Sequence, residues 1–331
     1  MKKFGYTLLW VTMITVAAGS LLSLLVNTDN RYLKFLDFPR IQFFWLGLGV
    51  LLAFLLVNRR WAWYDYVITA GLVLGTVVQS TYLINYTTLA GATVPDARAD
   101  VAETDRVSVL VLNVYRENRD AEAVRALIDE RNPDIFIGME VNAWWDEALA
   151  DAQAAYPYGE ESVNEVGYGM VVYSQLPLSD VRTAYLNNDS VPTIEAIASL
   201  EDGRRFRLIA AHPVPPTYFE KLPDNEGQRE VALSEIGKRA AGSDLPVLVA
   251  GDFNDVAWGN TDRLTETEGV LEDVRVGRGF LNSFDATNFL MRWPLDHAVV
   301  TDEWSVVGIE RLRDVGSDHY PIWFELALEA D

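Results

Sequence analysis

The three histidines of the chain lie in short polar motifs beside apolar runs. His212 is in AAHPVPP, His297 in PLDHAVV and His319 in GSDHYPIWFEL. A fourth motif, AGDFND, follows the apolar run LPVLV and carries Asp252 and Asn254. Histidine has the side-chain pKa closest to neutrality and is therefore the usual proton carrier or metal ligand. Histidines confined to such motifs, with a carboxylate and an amide in a similar place, indicate an enzyme.

Six polar side chains lie where predicted strands end or begin. Four of them terminate the strands VSVLVLN, DIFIGME, RFRLIAAH and LPVLVAGD, and two lie at or just before the starts of LDHAVVT and HYPIWFELAL. In a mixed sheet, the ends of strands of one direction and the starts of strands of the other share an edge. We therefore expect one common mouth for Asn113, Glu140, His212, Asp252, Asp296 and Asp318.

The elements around these motifs alternate between short apolar runs and polar helical stretches. AEAVRALIDERN has an apolar helical face and Asp120 as its N-cap, and it separates two buried strands, which predicts a parallel pair. A second helix is predicted over NEGQREVALSEIGKRAAG, residues 225–242. Several later strands, including GMVVYS and TIEAIASL, follow one another without helices, so the sheet is predicted to be mixed.

The motif series LNVYREN, GMEVN, AAHPVPP, AGDFND, PLDHAVV and GSDHYP resembles the endonuclease/exonuclease/phosphatase superfamily. The resemblance covers roughly Val107 to Leu328, with the motifs in the family's order. It implies a DNase I-like α/β sandwich of mixed sheets flanked by helices. It also implies a metal-dependent phosphoester hydrolase, and membrane-anchored bacterial members of this kind are familiar.

The chemistry of phosphoester hydrolysis calls for a cation near the phosphoryl oxygens. Mg²⁺ prefers oxygen ligands and keeps several waters, so one or two carboxylates suffice. Glu140 is the best candidate ligand, with the amide oxygen of Asn113 close by, and the resemblance implies the same pair. By resemblance, Asp318 is a further carboxylate of this site. Mn²⁺ is an alternative ion.

The resemblance also implies roles for five catalytic residues. Asp252 orients or deprotonates the attacking water, and Asn254 holds water or phosphate. His319 forms a pair with Asp296 and acts either as a base or as a cationic stabiliser. His212 contacts a phosphoryl oxygen.

Four other side chains have less definite interpretations. His297 follows Asp296 in a strand, and alternation directs it to the opposite face, which favours a structural role. Tyr168 and Tyr173 could include a residue that contacts phosphate. Arg229 is either a charge on a helix surface or a substrate-facing group.

Three apolar stretches in the first 85 residues are long enough to cross a bilayer, which takes about 20 residues as a helix. A signal peptide is the alternative for the first stretch, since Lys2 and Lys3 precede it, but two more stretches follow. The domain prediction is an anchor over 1–85, a linker over 86–106 and a catalytic domain over 107–331. The three predicted spans are 7–26, 41–57 and 66–84.

The basic residues around the spans favour an amino terminus inside the cell. Four of them would then face the cytoplasm, while Arg31, Lys34 and Arg40 would lie outside. This topology places the catalytic domain of an integral membrane protein outside the cytoplasm.

The charge of the chain bears on its substrate. Residues 1–106 hold 9 of the 27 Lys and Arg residues and 7 of the 48 Asp and Glu residues. The rest of the chain therefore has 18 basic and 41 acidic residues, a net charge of −23. Such a body repels nucleic acid at long range. We therefore expect a lipid phosphate or pyrophosphate as substrate in preference to nucleic acid, and the sequence indicates no protein partner. A membrane-anchored nuclease and a non-catalytic binding module on the same fold are the alternatives.

Overall fold

The computed structural model describes residues 2–25, 30–215, 227–259 and 269–329. The chain divides into two compact units, Met1–Ala90 and Gly91–Asp331. Three predictions extend beyond the described residues: the end of the first apolar stretch at Val26, the start of a helix at 225–226, and the last two residues of the catalytic domain.

The first unit consists of apolar helices. Three of them, by length and composition, could cross a membrane, over Phe4–Leu22, Arg40–Val57 and Trp63–Tyr86. The helices of this unit are α1 (Lys2–Leu22), α2 (Arg31–Lys34), α3 (Arg40–Val57) and α4 (Trp63–Leu83).

Arg40, predicted to lie on the outer side of the membrane, is fully buried where α3 begins. Its guanidinium donates to Ser23 Oγ at 3.0 Å and to Gln79 Oε1 at 2.9 Å, and it forms an ion pair with Asp37. A buried charge is tolerated only when it is paired and hydrogen-bonded. These contacts provide that compensation and join α1, α3 and α4 at one end of the first unit.

The second unit contains two six-stranded mixed sheets. The first sheet has the order β11-β12-β1-β2-β4-β3 and the second β5-β6-β7-β8-β10-β9. The first sheet comprises β1 (Arg106–Asn113), β2 (Ile135–Met139), β3 (Tyr158–Ser162), β4 (Met170–Ser174), β11 (Trp304–Arg311) and β12 (Ile322–Leu328). The second comprises β5 (Leu178–Tyr185), β6 (Pro192–Ser199), β7 (Arg205–Ala211), β8 (Val247–Asp252), β9 (Glu272–Asp273) and β10 (Asp296–Val300).

The two sheets pack face to face and helices cover their outer faces. The central core combines Val109 and Ile137 of the first sheet with Leu208, Leu248 and Ala298 of the second. Two further apolar clusters join α5 (Ala121–Arg131) and α6 (Ala143–Gln153) to the first sheet, and α7 (Gln228–Ala241) to the second. The predicted α/β sandwich of mixed sheets is thus confirmed.

A parallel strand pair lies in the middle of each sheet. β1 pairs with β2 in one and β7 with β8 in the other, while the remaining pairings among the described strands are antiparallel. Helix α5 connects the first pair and begins at the predicted N-cap, since Asp120 Oδ1 accepts from the backbone N–H of Ala123 at 3.1 Å. The carboxyl ends of both parallel pairs carry polar residues of the motifs.

Some elements differ from the prediction. Strands β3, β5, β9 and β11 and helix α6 were not predicted. Strands β3 and β5 are partly exposed and polar, and β11 contains a register shift between Val306 and Gly308. Asp318 and His319 lie in a loop, because β12 begins only at Ile322.

Part of the 86–106 segment, predicted to be a linker, belongs to the second unit and pairs with strand β11. Val94 is buried, the carbonyl of Pro95 accepts from Val306 N–H at 2.9 Å, and Ala97 N–H donates to Val306 carbonyl at 2.8 Å. These bonds cover part of the edge of the first sheet at β11, where unpaired backbone groups would otherwise remain.

Gly251 allows β7 and β8 to approach closely near their carboxyl ends. Its φ is +145°, and a Cβ atom at this position would lie 2.0 Å from the carbonyl oxygen of Ala211. An L side chain would therefore meet both backbone strain and a backbone clash. The AGDFND motif needs glycine here for the fold as well as for the site.

We expect Gly251→Ala to lower the thermal midpoint of the second unit by about 6–12 °C, for a cost of about 3 kcal/mol in a domain of this size. Gly308→Ala is the matched control, because nothing lies within 4 Å of its Cβ position. Thermal unfolding of the full chain in detergent measures both. Equal midpoints for the two variants would contradict the expected clash.

Candidate active site

The carboxylate of Asp252 lies at the centre of the site. Its Oδ2 accepts from Asn113 Nδ2 at 3.2 Å and lies 3.6 Å from His212 Nε2 and 3.5 Å from His319 Nε2. Burial raises the pKa of Asp252, and the two histidines act against that rise. The strand ends of both sheets thus converge on one buried carboxyl group.

His319 and Asp296 form a buried pair. His319 Nδ1 lies 2.8 Å from Asp296 Oδ2, and Ser283 Oγ accepts from the backbone N–H of Asp296 at 3.2 Å. Burial lowers the pKa of His319, but the charges of Asp296 and Asp252 outweigh it and raise the pKa to about 10. The pair fixes the orientation of the ring and directs Nε2 toward Asp252.

Glu140 and Asp318 form the acidic side of the site. Glu140 has a φ of +61°, and its Oε2 accepts from the backbone N–H of Arg116 at 3.1 Å. Burial raises the pKa of Asp318 to about 6, and the charges of Glu140 and Asp252 add to the rise. Among the described residues, the buried Oδ1 of Asp318 has no hydrogen-bond partner. Carboxylate oxygens of this kind are the ligands that Mg²⁺ prefers.

Asn113 lies between two of the carboxylates of the site. Its amide oxygen, expected to be a metal ligand, accepts from the backbone N–H of Tyr115 at 3.0 Å. Its amide nitrogen donates to Glu140 Oε1 at 3.1 Å and to Asp252 Oδ2 at 3.2 Å. Asn113 therefore holds two carboxylates that would otherwise repel each other.

Among the described residues, three side chains have ligand atoms close enough to share a metal ion. Ligand atoms of Asp252, Asp296 and His319 lie within 4.8 Å of one another. The contact between His319 Nδ1 and Asp296 already engages two members of this group. Mg²⁺ and similar hard ions prefer oxygen ligands, and two members of this group, Asp252 and Asp296, offer carboxylate oxygens.

Asn254 lies beside Asp252 in a tight turn. Its φ is +50°, its backbone N–H donates to Asp252 Oδ1 at 2.9 Å, and its Nδ2 donates to Pro213 carbonyl at 3.0 Å. The turn joins the segment after β8 to the segment that follows His212. Asn254 therefore belongs to the same cluster as the other predicted site residues.

Ser317 was not singled out from the sequence, although it lies within GSDHYP. Its hydroxyl donates to Asn113 carbonyl at 2.6 Å and accepts from the backbone N–H of His319 at 3.0 Å. The serine thus ties the loop that carries His319 to the end of β1. Its position inside the motif was the available signal.

His297 and Arg229 support the turn after β8 from behind. His297 Nε2 donates to Asp255 carbonyl at 2.8 Å, and its ring stacks on Phe253 at 4.9 Å. Arg229 is buried, and its guanidinium lies 3.2 Å from Asp255 Oδ1. Arg229 is therefore neither an exposed helix charge nor a group within the cluster around Asp252; it pairs with a buried carboxylate next to Asn254.

Tyr168 and Tyr173 lie in different places. Tyr168 is 2% exposed, and its ring centroid lies 5.3 Å from that of His212. Its hydroxyl finds no hydrogen-bond partner within the described part of the chain, and burial and the nearby charges of Glu140 and Asp252 raise its pKa. Tyr173 packs against Phe136, away from these groups. The structure thus brings Tyr168 to the site.

Two stacked mixed sheets whose strand ends collect carboxylates, amides and histidines at one edge define the class of DNase I-like phosphoesterases. The model of the endonuclease/exonuclease/phosphatase family matches residues 110–319. The chain belongs to this family, as its motifs predicted, and members of the family are phosphoester hydrolases. A comparison with curated proteins finds no match.

Solved structures share the fold at low sequence identity. A humanized D. rerio TDP2 with 14 mutations has a TM-score of 0.57 and 14% identity, over 67% of this chain and 99% of that one. The human nocturnin catalytic domain with bound sulfate has a TM-score of 0.53 and 16% identity, over 71% and 97%. An endonuclease/exonuclease/phosphatase from Bacteroides vulgatus has a TM-score of 0.54 and 20% identity, over 68% and 99%.

We expect Tyr168→Phe to lower kcat/KM for a phosphoester about 10- to 100-fold, since a hydrogen bond to a charged group contributes about 1.5–3 kcal/mol. Tyr173→Phe is the matched control, because it removes the hydroxyl of another buried tyrosine that lies away from the site. Steady-state kinetics of both variants provide the measurement. A Tyr168→Phe variant as active as Tyr173→Phe would show that the Tyr168 hydroxyl does not contact substrate.

Proposed function

We propose that the protein is a membrane-tethered, metal-dependent hydrolase of a lipid phosphate or pyrophosphate. The observation that carries this proposal is the meeting of Glu140, Asp318, Asp252 and the His319–Asp296 pair at one edge of the sandwich, in a chain with three helices of membrane length. The family supplies the reaction class, and the apolar helices favour a substrate that resides in a bilayer.

The residues of the site have distinct tasks in such a reaction. Asp252 accepts a proton from, or orients, the water that attacks phosphorus, which is why its carboxylate must face the reacting group. His319 presents Nε2 to the phosphoryl oxygens while Asp296 holds Nδ1. His212 and Asn254 position the phosphoryl group or the water from the second sheet. Fixed donors of this kind stabilise the charge that develops in the transition state.

The cation of this proposal is Mg²⁺, with Mn²⁺ as an alternative. Glu140 and Asp318 would hold it, and Asn113 keeps Glu140 in position through its amide nitrogen. A divalent cation bound there supplies neutralisation of charge on the phosphoryl oxygens. The unpartnered Oδ1 of Asp318 supports this assignment, since it offers an oxygen that other described residues do not use.

Two features favour lipid over nucleic acid. The net charge of −23 on the chain after residue 106 opposes the approach of a polyanion such as nucleic acid. A lipid substrate, by contrast, would reside in the same membrane as the tethered protein. The charges around the apolar helices favour a catalytic domain outside the cytoplasm of a bacterial cell. A nuclease is the second candidate, because one related structure is a D. rerio TDP2 complexed with a single-strand DNA product.

The full chain in detergent should release phosphate from a polyprenyl pyrophosphate in the presence of Mg²⁺ and should lose this activity with EDTA. Plasmid nicking is followed in parallel, and His319→Ala is the inactive control. Phosphate release without nicking is the expected result. Nicking without phosphate release would identify a tethered nuclease and contradict the lipid substrate.

Asp252→Asn should reduce kcat about 10²- to 10⁴-fold, because a positioned general base contributes a factor of this size. The substitution preserves shape and keeps one oxygen, which can still accept from the backbone N–H of Asn254, so the protein should remain folded. Turnover and thermal unfolding are measured on the same preparation. Full activity in the folded variant would show that Asp252 takes no part in the reaction and that the cluster around it has a non-catalytic role.

A further inference from the structure

A short hairpin projects beside the candidate active site. Phe284 and Trp293 pair across it, and Asp285 N–H donates to Met291 carbonyl at 3.2 Å. Residues 286–291, with the sequence ATNFLM, form its tip and carry no charge. We refer to residues 284–293 as the apolar hairpin.

The tip exposes large apolar side chains to solvent. Phe289 is 77% exposed, Leu290 65% and Met291 39%. Phe289 and Leu290 are the two most exposed large apolar side chains in the described part of the second unit. Single exposed apolar residues are common on protein surfaces, but adjacent ones indicate an interaction surface. The tip of the hairpin is such a contiguous apolar patch on an otherwise strongly acidic body.

The base of the hairpin is firmly held. Arg292 Nη2 donates to Tyr320 Oη at 2.9 Å and to Ala286 carbonyl at 3.1 Å, and its guanidinium lies 5.0 Å from the centroid of the Tyr320 ring. Asn288 Oδ1 accepts from Leu290 N–H at 3.1 Å and shapes the tip. Phe289 and Leu290 are therefore exposed on a hairpin whose base is held in place by hydrogen bonds.

The hairpin also adjoins the catalytic groups. Ala286 N–H donates to Asp318 carbonyl at 2.7 Å, and the Phe284 ring centroid lies 4.9 Å from that of His319. A molecule that contacts Phe289 and Leu290 would thus lie at the rim of the site. None of the catalytic roles described above uses these side chains.

We propose that the apolar hairpin inserts its tip into a lipid surface and thereby holds the site against the bilayer that contains the substrate, an inference that rests on the proposed lipid hydrolase function. The occupant is a lipid surface because the chain itself carries three helices of membrane length. An acidic body gains no attraction from anionic lipids, so apolar insertion is the mode of contact that its charge permits.

The absence of cysteine from the sequence permits a direct test. The Phe289→Cys variant carries a single environment-sensitive fluorophore. The control is Val231→Cys with the same label, because Val231 lies on α7 and is 50% exposed. The full chain is placed in lipid nanodiscs with and without spin-labelled acyl chains. Quenching of the label at 289 that clearly exceeds quenching at 231 is expected; equal or absent quenching at 289 would overturn the insertion.

A kinetic test separates insertion from catalysis. Phe289→Ser with Leu290→Ser should lower turnover of a polyprenyl pyrophosphate in nanodiscs about tenfold, through the loss of apolar contact. Turnover of a water-soluble chromogenic phosphodiester should stay unchanged, and Val231→Ser should alter neither. An equal loss on both substrates would overturn the proposal, since it would show damage to the site itself.

The two proposals fail in different ways. If the wild-type protein leaves the lipid intact but the label at 289 is quenched, the hairpin inserts and the lipid hydrolase function is wrong. If the lipid is hydrolysed but the label at 289 is not quenched, the substrate is right and the insertion is wrong.

Discussion

The candidate site of the second unit is built around one fully buried carboxyl group, that of Asp252. Asp252 ends β8 in the second sheet, yet it accepts from Asn113 in the first sheet and faces His319 from the loop before β12. A buried charge is tolerated only where donors or cations surround it, so the ends of both sheets must meet at the same edge. Gly251 helps to bring these ends together because it allows β7 and β8 to approach closely. The hydroxyl of Ser317 also helps, because it links the loop that carries His319 to the end of β1.

Much of the sandwich could be predicted, because its central strands are buried on both faces and read as continuous apolar runs. VSVLVLN and LPVLVAGD are of this kind, and the residues that end them were correctly expected near one another. Strands β3 and β5 lack such runs, since part of each faces solvent, and nothing in their composition separates them from loops. Prediction worked where burial constrains the choice of residue.

The site shows a similar division. Residue types within GDFND and GSDHYP indicated the chemistry, but the orientation of each group depends on atoms distant in sequence. The amide of Asn113 turns its nitrogen to the carboxylates because Tyr115 N–H takes the oxygen. Arg229 is buried because Asp255, 26 residues later in the chain, provides its counter-charge. Such pairings arise from packing between residues that are distant in sequence, so they could not be predicted from the motifs alone.

The segment from Val94 to Ala97 has a mechanical consequence. Strand β1 begins at Arg106 and ends at Asn113, so a loose connection up to residue 106 would transmit any pull from the apolar helices directly to a site residue. Backbone bonds from Pro95 and Ala97 to Val306 lie ahead of that strand and take the load first. A pull on the apolar helices would therefore reach the edge strand β11 before it reaches β1 and the site residue that ends it.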